Sequence, residues 1–165
     1  MPEAVFTIRI RPAQPQDLPR LGQLAGALVR LHHDTDPARF FLVDQVEEGY
    51  AWWFGRELKR AEAVILVAVR DDAVVGYAYG TIEERDWNLL LDAHGALHDV
   101  FVAVEARKLG VGHALVKAIV AALEERGAPR VLLSTMVQNE VAQRVFHDCG
   151  FRPTMLEMTR GRDPR

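Results

Sequence analysis

"FVAVEARKLGVG", Phe101 to Gly112, runs an apolar strand pattern into a basic pair, two glycines and the start of a helical pattern. Glycines spaced one apart at a helix start let the backbone come close to a ligand, and the unpaired first-turn N–H groups then point at an anion. The stretch reads as an oxyanion or phosphate cradle. The competing reading is a glycine-punctuated strand-to-helix turn with solvated Arg107 and Lys108. A Walker A loop would need Lys-Ser or Lys-Thr after its last glycine, and a dinucleotide fingerprint would need a third small residue where Leu115 stands, so neither nucleotide motif fits.

On either side of this stretch the chain divides into short elements. "FTIRIRPA" (Phe6 to Ala13) alternates as a half-buried strand and is ended by Pro12 and Pro15. From Asp17 to His32 the residues Leu18, Leu21, Leu24, Ala25, Leu28, Val29 and Leu31 recur at helical spacing, and Asp17 sits where the helix dipole favours it. A turn-rich segment, His32 to Phe41, leads to a second helical pattern through Val43, Val46, Tyr50, Trp53, Phe54 and Leu58, ending near Arg60. "AVILVAVRDDAVVGYAYGTIEE" gives two strands joined at Arg70-Asp71-Asp72, an antiparallel hairpin.

Ala96 to Val104 is a further strand, followed by a helix from about Gly110 to Arg126 that Gly127 closes. Arg130 to Met136 reads as a buried strand. Asn139 to Cys149 reads as a helix capped by Asn139 and ended by Gly150, and "TMLEMTR" as a last strand. The expected order is β-α-α-β-β-β-α-β-α-β in a single domain over residues 1–165.

At 165 residues and 49% hydrophobic composition the chain can bury the core of one domain. A net charge of −3 argues against nucleic acid as a partner. Its longest apolar run, Ala63 to Val69, lies between Glu62 and Arg70 and is far short of the roughly 20 residues that cross a bilayer, so no membrane partner is expected. One cysteine, Cys149, and the lack of a secretory-signal pattern predict a cytoplasmic protein. His32 and His33 are adjacent, and His94, His98, His113 and His147 are scattered over different elements, so no metal is expected.

With its two short motifs, this order resembles the GNAT family of acyl-CoA-dependent N-acetyltransferases. The first motif is the quoted stretch, with Arg107, Gly110 and Gly112 at the family's spacing. The second is "NEVAQRVFHDCGF", with Asn139, Ala142, Phe146, Gly150 and Phe151. The resemblance implies an α/β (α+β) GNAT fold: a mixed, mostly antiparallel sheet with a splayed parallel strand pair and helices on both faces. It implies acetyl-CoA as cosubstrate. Val100, Phe101 and Val102 would lie against pantetheine, the amides of Lys108, Leu109, Gly110, Val111, Gly112 and His113 around the pyrophosphate, and Asn139 and Phe146 beside the cofactor.

Acetyl transfer needs a proton acceptor for the amine and a donor for the developing oxyanion. The resemblance points to His98 as the base, against the reading of a partly buried structural histidine, and to the N–H of Val102 as the oxyanion donor. Strand alternation sends His98, Val100 and Val102 to one side and Asp99, Phe101 and Ala103 to the other; Asp99 reads either as a group orienting a substrate cation or, preferred, as a satisfied polar residue on that other face. Phe146 stands where many members carry a tyrosine near the coenzyme sulfur, which leaves a side-chain general acid in doubt and admits a non-catalytic acyl-CoA-binding module as the alternative. Cys149 reads as a small buried hydrophobe, which favours direct transfer in a ternary complex.

The acceptor is expected to be a primary amine, free or on a peptide or protein. By the resemblance its site comes from the first two helices and their loop, the segment after the third strand, and the last strand. These offer acids among aromatics, including Asp36, Phe40, Tyr50, Trp53, Glu83, Trp87 and Glu157. The apolar Met155, Leu156 and Met158, with the aromatic second helix, suggest a homodimer.

Overall fold

The computed structural model describes residues 7–162. Phe6 of the expected first strand, and residues 1–6 and 163–165 of the expected single domain, lie outside the described residues. Five strands form one sheet in chain order: β1 (Arg9–Pro12), β2 (Ala63–Arg70), β3 (Ala73–Glu83), β4 (His94–Val102) and β5 (Val131–Leu133). The first four pair antiparallel and β5 runs parallel to β4. The β2–β3 hairpin turns on Asp71 and Asp72, at φ 49° and 64°. Positive φ at both turn residues matches the twist of the flanking strands, and short Asp side chains tolerate it.

The strongly apolar β2 has both faces covered. Val64, Leu66 and Ala68 pack with Val111, Leu115, Ile119 and Leu123 of α3 (Val111–Glu125), while Ile65, Val67 and Val69 pack with Leu21 and Leu24 of α1 (Leu18–Thr35) and Phe54 of α2 (Val46–Glu57). That explains its unbroken apolar run, since alternation is seen only where one face meets water. The fourth helix, α4 (Glu140–Asp148), lies on the α3 side, where Val145, Phe146, Cys149 and Phe151 rest against the core.

The entry to α1 is fixed by charge. The Asp17 carboxylate accepts both guanidinium nitrogens of Arg11, at 2.7 and 2.9 Å, and the Gln14 amide at 2.8 Å. The Arg11 hydrogen bonds hold the Asp17 carboxyl below the usual aspartate range. Glycine lets α1 and α2 meet closely, because a Cβ at Gly22 would stand 2.4 Å from the Glu47 carbonyl oxygen.

Two expectations fail. Thr154 to Arg160 forms no strand: Met155, Leu156 and Met158 are exposed, and the segment pairs with none of the five strands. Apolar alternation marks a strand only where a neighbouring edge accepts its hydrogen bonds. The expected buried strand from Arg130 to Met136 shrinks to the three half-buried residues Val131–Leu133, because its ladder with β4 ends at the Leu97–Leu133 pair.

Candidate active site

That early end of the parallel ladder makes the site. Beyond Leu97, β4 continues to Val102 with β3 on one side and no β5 on the other. The Ala103 amide donates to the Val75 carbonyl at 2.8 Å, so by ladder alternation the backbone groups of Val100 and Val102 face the vacated edge. Arg107 Nε donates to the Val102 carbonyl oxygen at 3.1 Å, which ties the end of β4 to the glycine loop. Phe101 is turned away: it pairs with Tyr77, and its ring is buried among the α1 and α2 core residues.

At the loop, Lys108 and Gly110 take positive φ of 62° and 77°, and α3 begins at Val111. The first helical carbonyl acceptor is Gly110 O, bonded by Ala114 N at 3.0 Å, so the preceding first-turn amides have no acceptor in the helix. Nothing stands within 4 Å of a Cβ built on Gly110, and at Gly112 the nearest atoms are those of Val145 at 3.9 Å and Val102 at 4.0 Å. Leu109 and Lys108 are exposed, while the Val111 side chain is in the core. His113 is tied to Asp148 of α4 at 3.1 Å, and Asn139 caps α4 by accepting the Ala142 amide at 3.1 Å. Phe146 packs edge-on to Phe151 at 6.1 Å. A free strand edge leading to an open ring of unbonded amides fits a pantetheine arm and its pyrophosphate.

His98 lies where the register slips. Asp99 pairs with Tyr79 and Leu97 with Gly80, leaving His98 as the extra residue of a bulge. The bulge breaks the expected alternation at His98, while Val100 and Val102 keep the α3 side and Phe101 and Ala103 the α1 and α2 side. Leu97 faces the α3 core, whereas His98 and Asp99 both turn toward α1 and α2, where they line one cleft of about 300 Å³ with Tyr50, Trp53, Arg60, Tyr79, Thr81 and Glu83. His98 is stacked on Tyr79 at 5.1 Å, and its Nε2 is 2.7 Å from the Thr81 hydroxyl. Thr81 in turn donates to Glu83. A hydroxyl has one hydrogen, so the Thr81 oxygen must accept from His98 Nε2–H, which leaves Nδ1 with the free lone pair.

The floor of the cleft is a buried polar network. Tyr79 donates to Glu57 at 2.6 Å, Glu57 pairs with Arg60 at 2.9 Å, and Tyr77 donates to Asp99 at 3.0 Å. Burial pushes the Asp99 carboxyl up from its ordinary value, against the opposing Tyr77 hydrogen bond. Burial, then the Asp99 charge, raises the Tyr50 phenol to about 12, so it remains a donor. The Cys149 thiol is also pushed up by burial, which suits packing and not nucleophilic attack. Sequence reasoning missed Thr81, Tyr79 and Glu57. The signal for Tyr79 and Thr81 was present in "YAYGTIE", where Tyr77, Tyr79, Thr81 and Glu83 put a polar atom at every second residue of one strand face; Glu57, at the end of α2, carried none.

A parallel pair parted beside an anion cradle, with acid–base groups at the break, suits a transferase that takes its group from an extended, phosphate-bearing carrier. Residues 27–151 match the Acetyltransferase (GNAT) family. An N-alpha-acetyltransferase of Sulfurisphaera tokodaii is 34% identical over 129 residues, covering 70% of this chain and 77% of that protein. Among solved structures, a variant of the BH1408 protein of Bacillus halodurans superposes with a TM-score of 0.80 at 17% identity, covering 93% of this chain and 98% of that one. The aminoglycoside N-acetyltransferase AAC(6')-Iy, in complex with CoA, does so at 0.73 and 18%, covering 99% and 100%. The chain belongs to the GNAT acetyltransferase family and is an N-acetyltransferase enzyme.

Proposed function

We propose that this enzyme acetylates a primary amine by direct attack within a ternary complex, with His98 Nδ1 taking the proton of the amine. The observation that carries this reading is the bulge, which gathers His98, Asp99 and Glu83 into one cleft next to the free edge of β4. Acetyl-CoA, held along that edge by Val100, Val102 and the amides of residues 108–113, supplies the thioester acyl group. The outward N–H of Val102 is the donor for the developing oxyanion, and the carboxylates draw the cationic acceptor into the cleft. Phe146 has no proton to give, so the departing thiolate takes one from solvent or from the acceptor. The N-alpha-acetyltransferase relative supports an α-amine among the possible acceptors.

We propose further that the protein is a cytoplasmic homodimer. One cysteine in 165 residues supports a reducing compartment.

His98→Ala tests the base. It is expected to lower kcat by about 10²-fold or more, with acetyl-CoA affinity little changed, because the cofactor is held mainly by backbone. Wild-type turnover in the folded variant would remove His98 from the mechanism.

A further inference from the structure

The amine cleft does not end at Tyr50 and Trp53. The same two rings form one wall of a second, mostly apolar pocket of about 460 Å³, lined by Val29, Phe40, Phe41 and Val43 from α1 and the α1–α2 loop and by Val46 of α2. Trp53 and His98 each contact Tyr79, at ring-centre separations of 5.0 and 5.1 Å, and both line the amine cleft, so the apolar space opens a short reach from the base.

The pocket is held in shape. His33 Nδ1 donates to the Phe40 carbonyl at 2.8 Å, the Phe40 and Arg39 amides bond Asp36 O at 3.0 and 3.1 Å, and the His32 ring lies 4.8 Å from that of Phe40. Its one lining arginine, Arg39, is occupied: it pairs with Glu157 of the C-terminal segment and lies over the Phe40 ring. Phe41 is 79% exposed and Val43 54%, an apolar rim that gains by being covered.

We infer that the acceptor of this enzyme is a primary amine whose amine-bearing end carries a bulky apolar group, aromatic or branched aliphatic, which fills the pocket between α1, α2 and their loop. The inference rests on the N-acetyltransferase reading of the adjoining cleft. The division of labour follows from the two linings. Asp99, Glu83 and His98 meet the nitrogen, while a wall of aromatic and aliphatic carbon meets its substituent. Besides the Tyr50 phenol, the polar lining is confined to Arg39, His32, Asp44 and Gln45, so a polyhydroxylated amine would press hydroxyls against the carbon of Val29, Phe40, Phe41, Val43 and Trp53, at a cost in binding. Free arylalkylamines and peptides with an apolar first residue share the required chemistry.

The test is thiol release from acetyl-CoA by the full-length protein with matched acceptors: phenethylamine against ethylamine, Phe- and Leu-initiated peptides against the Gly-initiated peptide, and kanamycin and spermidine. Within each pair the apolar member is expected to lead in kcat/KM by about 10- to 100-fold, the effect of burying one such group. The pair that shows it separates a small-amine source from a peptide source. Phe41→Ser and Phe40→Ala, at an exposed and a half-buried position, are expected to shrink the ratio by about fivefold or more. Turnover with equal rates inside both pairs, or with kanamycin or spermidine preferred, overturns the inference and leaves the acetyltransferase standing. No thiol release with any amine overturns both.

Discussion

Thr81 has one hydroxyl hydrogen, and Glu83 takes it; that fixes which nitrogen of His98 is free. Thr81 is therefore a positioning residue. Thr81→Val should lower kcat about tenfold with unchanged acetyl-CoA affinity, Thr81→Ser should restore it, and nitrogen-15 shifts of the wild type should report the Nε2-protonated imidazole. Equal turnover in the valine variant would show that the hydroxyl does not orient the base. Asp99 makes a different argument. Burial raises its carboxyl, so the folded protein holds that proton more tightly than the unfolded chain. Stability from this group is present at low pH and lost as pH rises through the raised value. Asp99→Asn keeps an oxygen for Tyr77 and removes the half-buried charge. It should melt higher than wild type at pH 7, converge with it toward pH 4, and bind the acceptor amine more weakly. A variant less stable at pH 7 would show that the charge is compensated inside the cleft.

At the scale of elements, the sequence carried the hairpin, all four helices and the strand leading into the glycine loop, because each is set by local chemistry: Asp71 and Asp72 at the turn, Asn139 at a cap, Gly127 and Gly150 at helix ends. What it could not carry depends on pairing. The bulge at His98 exists only as a mismatch between β3 and β4, and simple alternation therefore put His98 and Asp99 on opposite faces. The free edge of β4 likewise reflects where β5 stops. The glycine loop was legible, and it gives a sharp test. A Cβ at Gly112 meets only ordinary contacts, at 3.9 and 4.0 Å, so substitution there should leave the fold intact. Gly112→Ala should fold and bind CoA more weakly. Gly112→Glu should fold and show no calorimetric CoA binding, because its carboxylate repels the pyrophosphate across the first-turn amides. A folded glutamate variant with wild-type CoA affinity would remove the cradle.

Over the whole molecule, the sheet closes well at its faces and poorly at one border. β5 is a three-residue edge strand, and among the described residues no strand lies beyond it. The segment after α4 passes with Met155, Leu156 and Met158 at 90%, 67% and 85% exposure, and Glu157 within it pairs with Arg39 of the α1–α2 loop. An edge and an apolar strip left open together are a liability in a lone domain. A second copy supplying the same strip would cover it in a two-fold contact, where each chain's segment meets its counterpart. Light scattering at working concentration should therefore give twice the monomer mass of 18.5 kDa. Replacing Met155 and Met158 together by lysine should shift the mass to the monomer without lowering the thermal midpoint of the domain, since neither side chain belongs to its core. A wild-type mass of one chain at every concentration tested would mean that the strip stays exposed and that the dimer does not form.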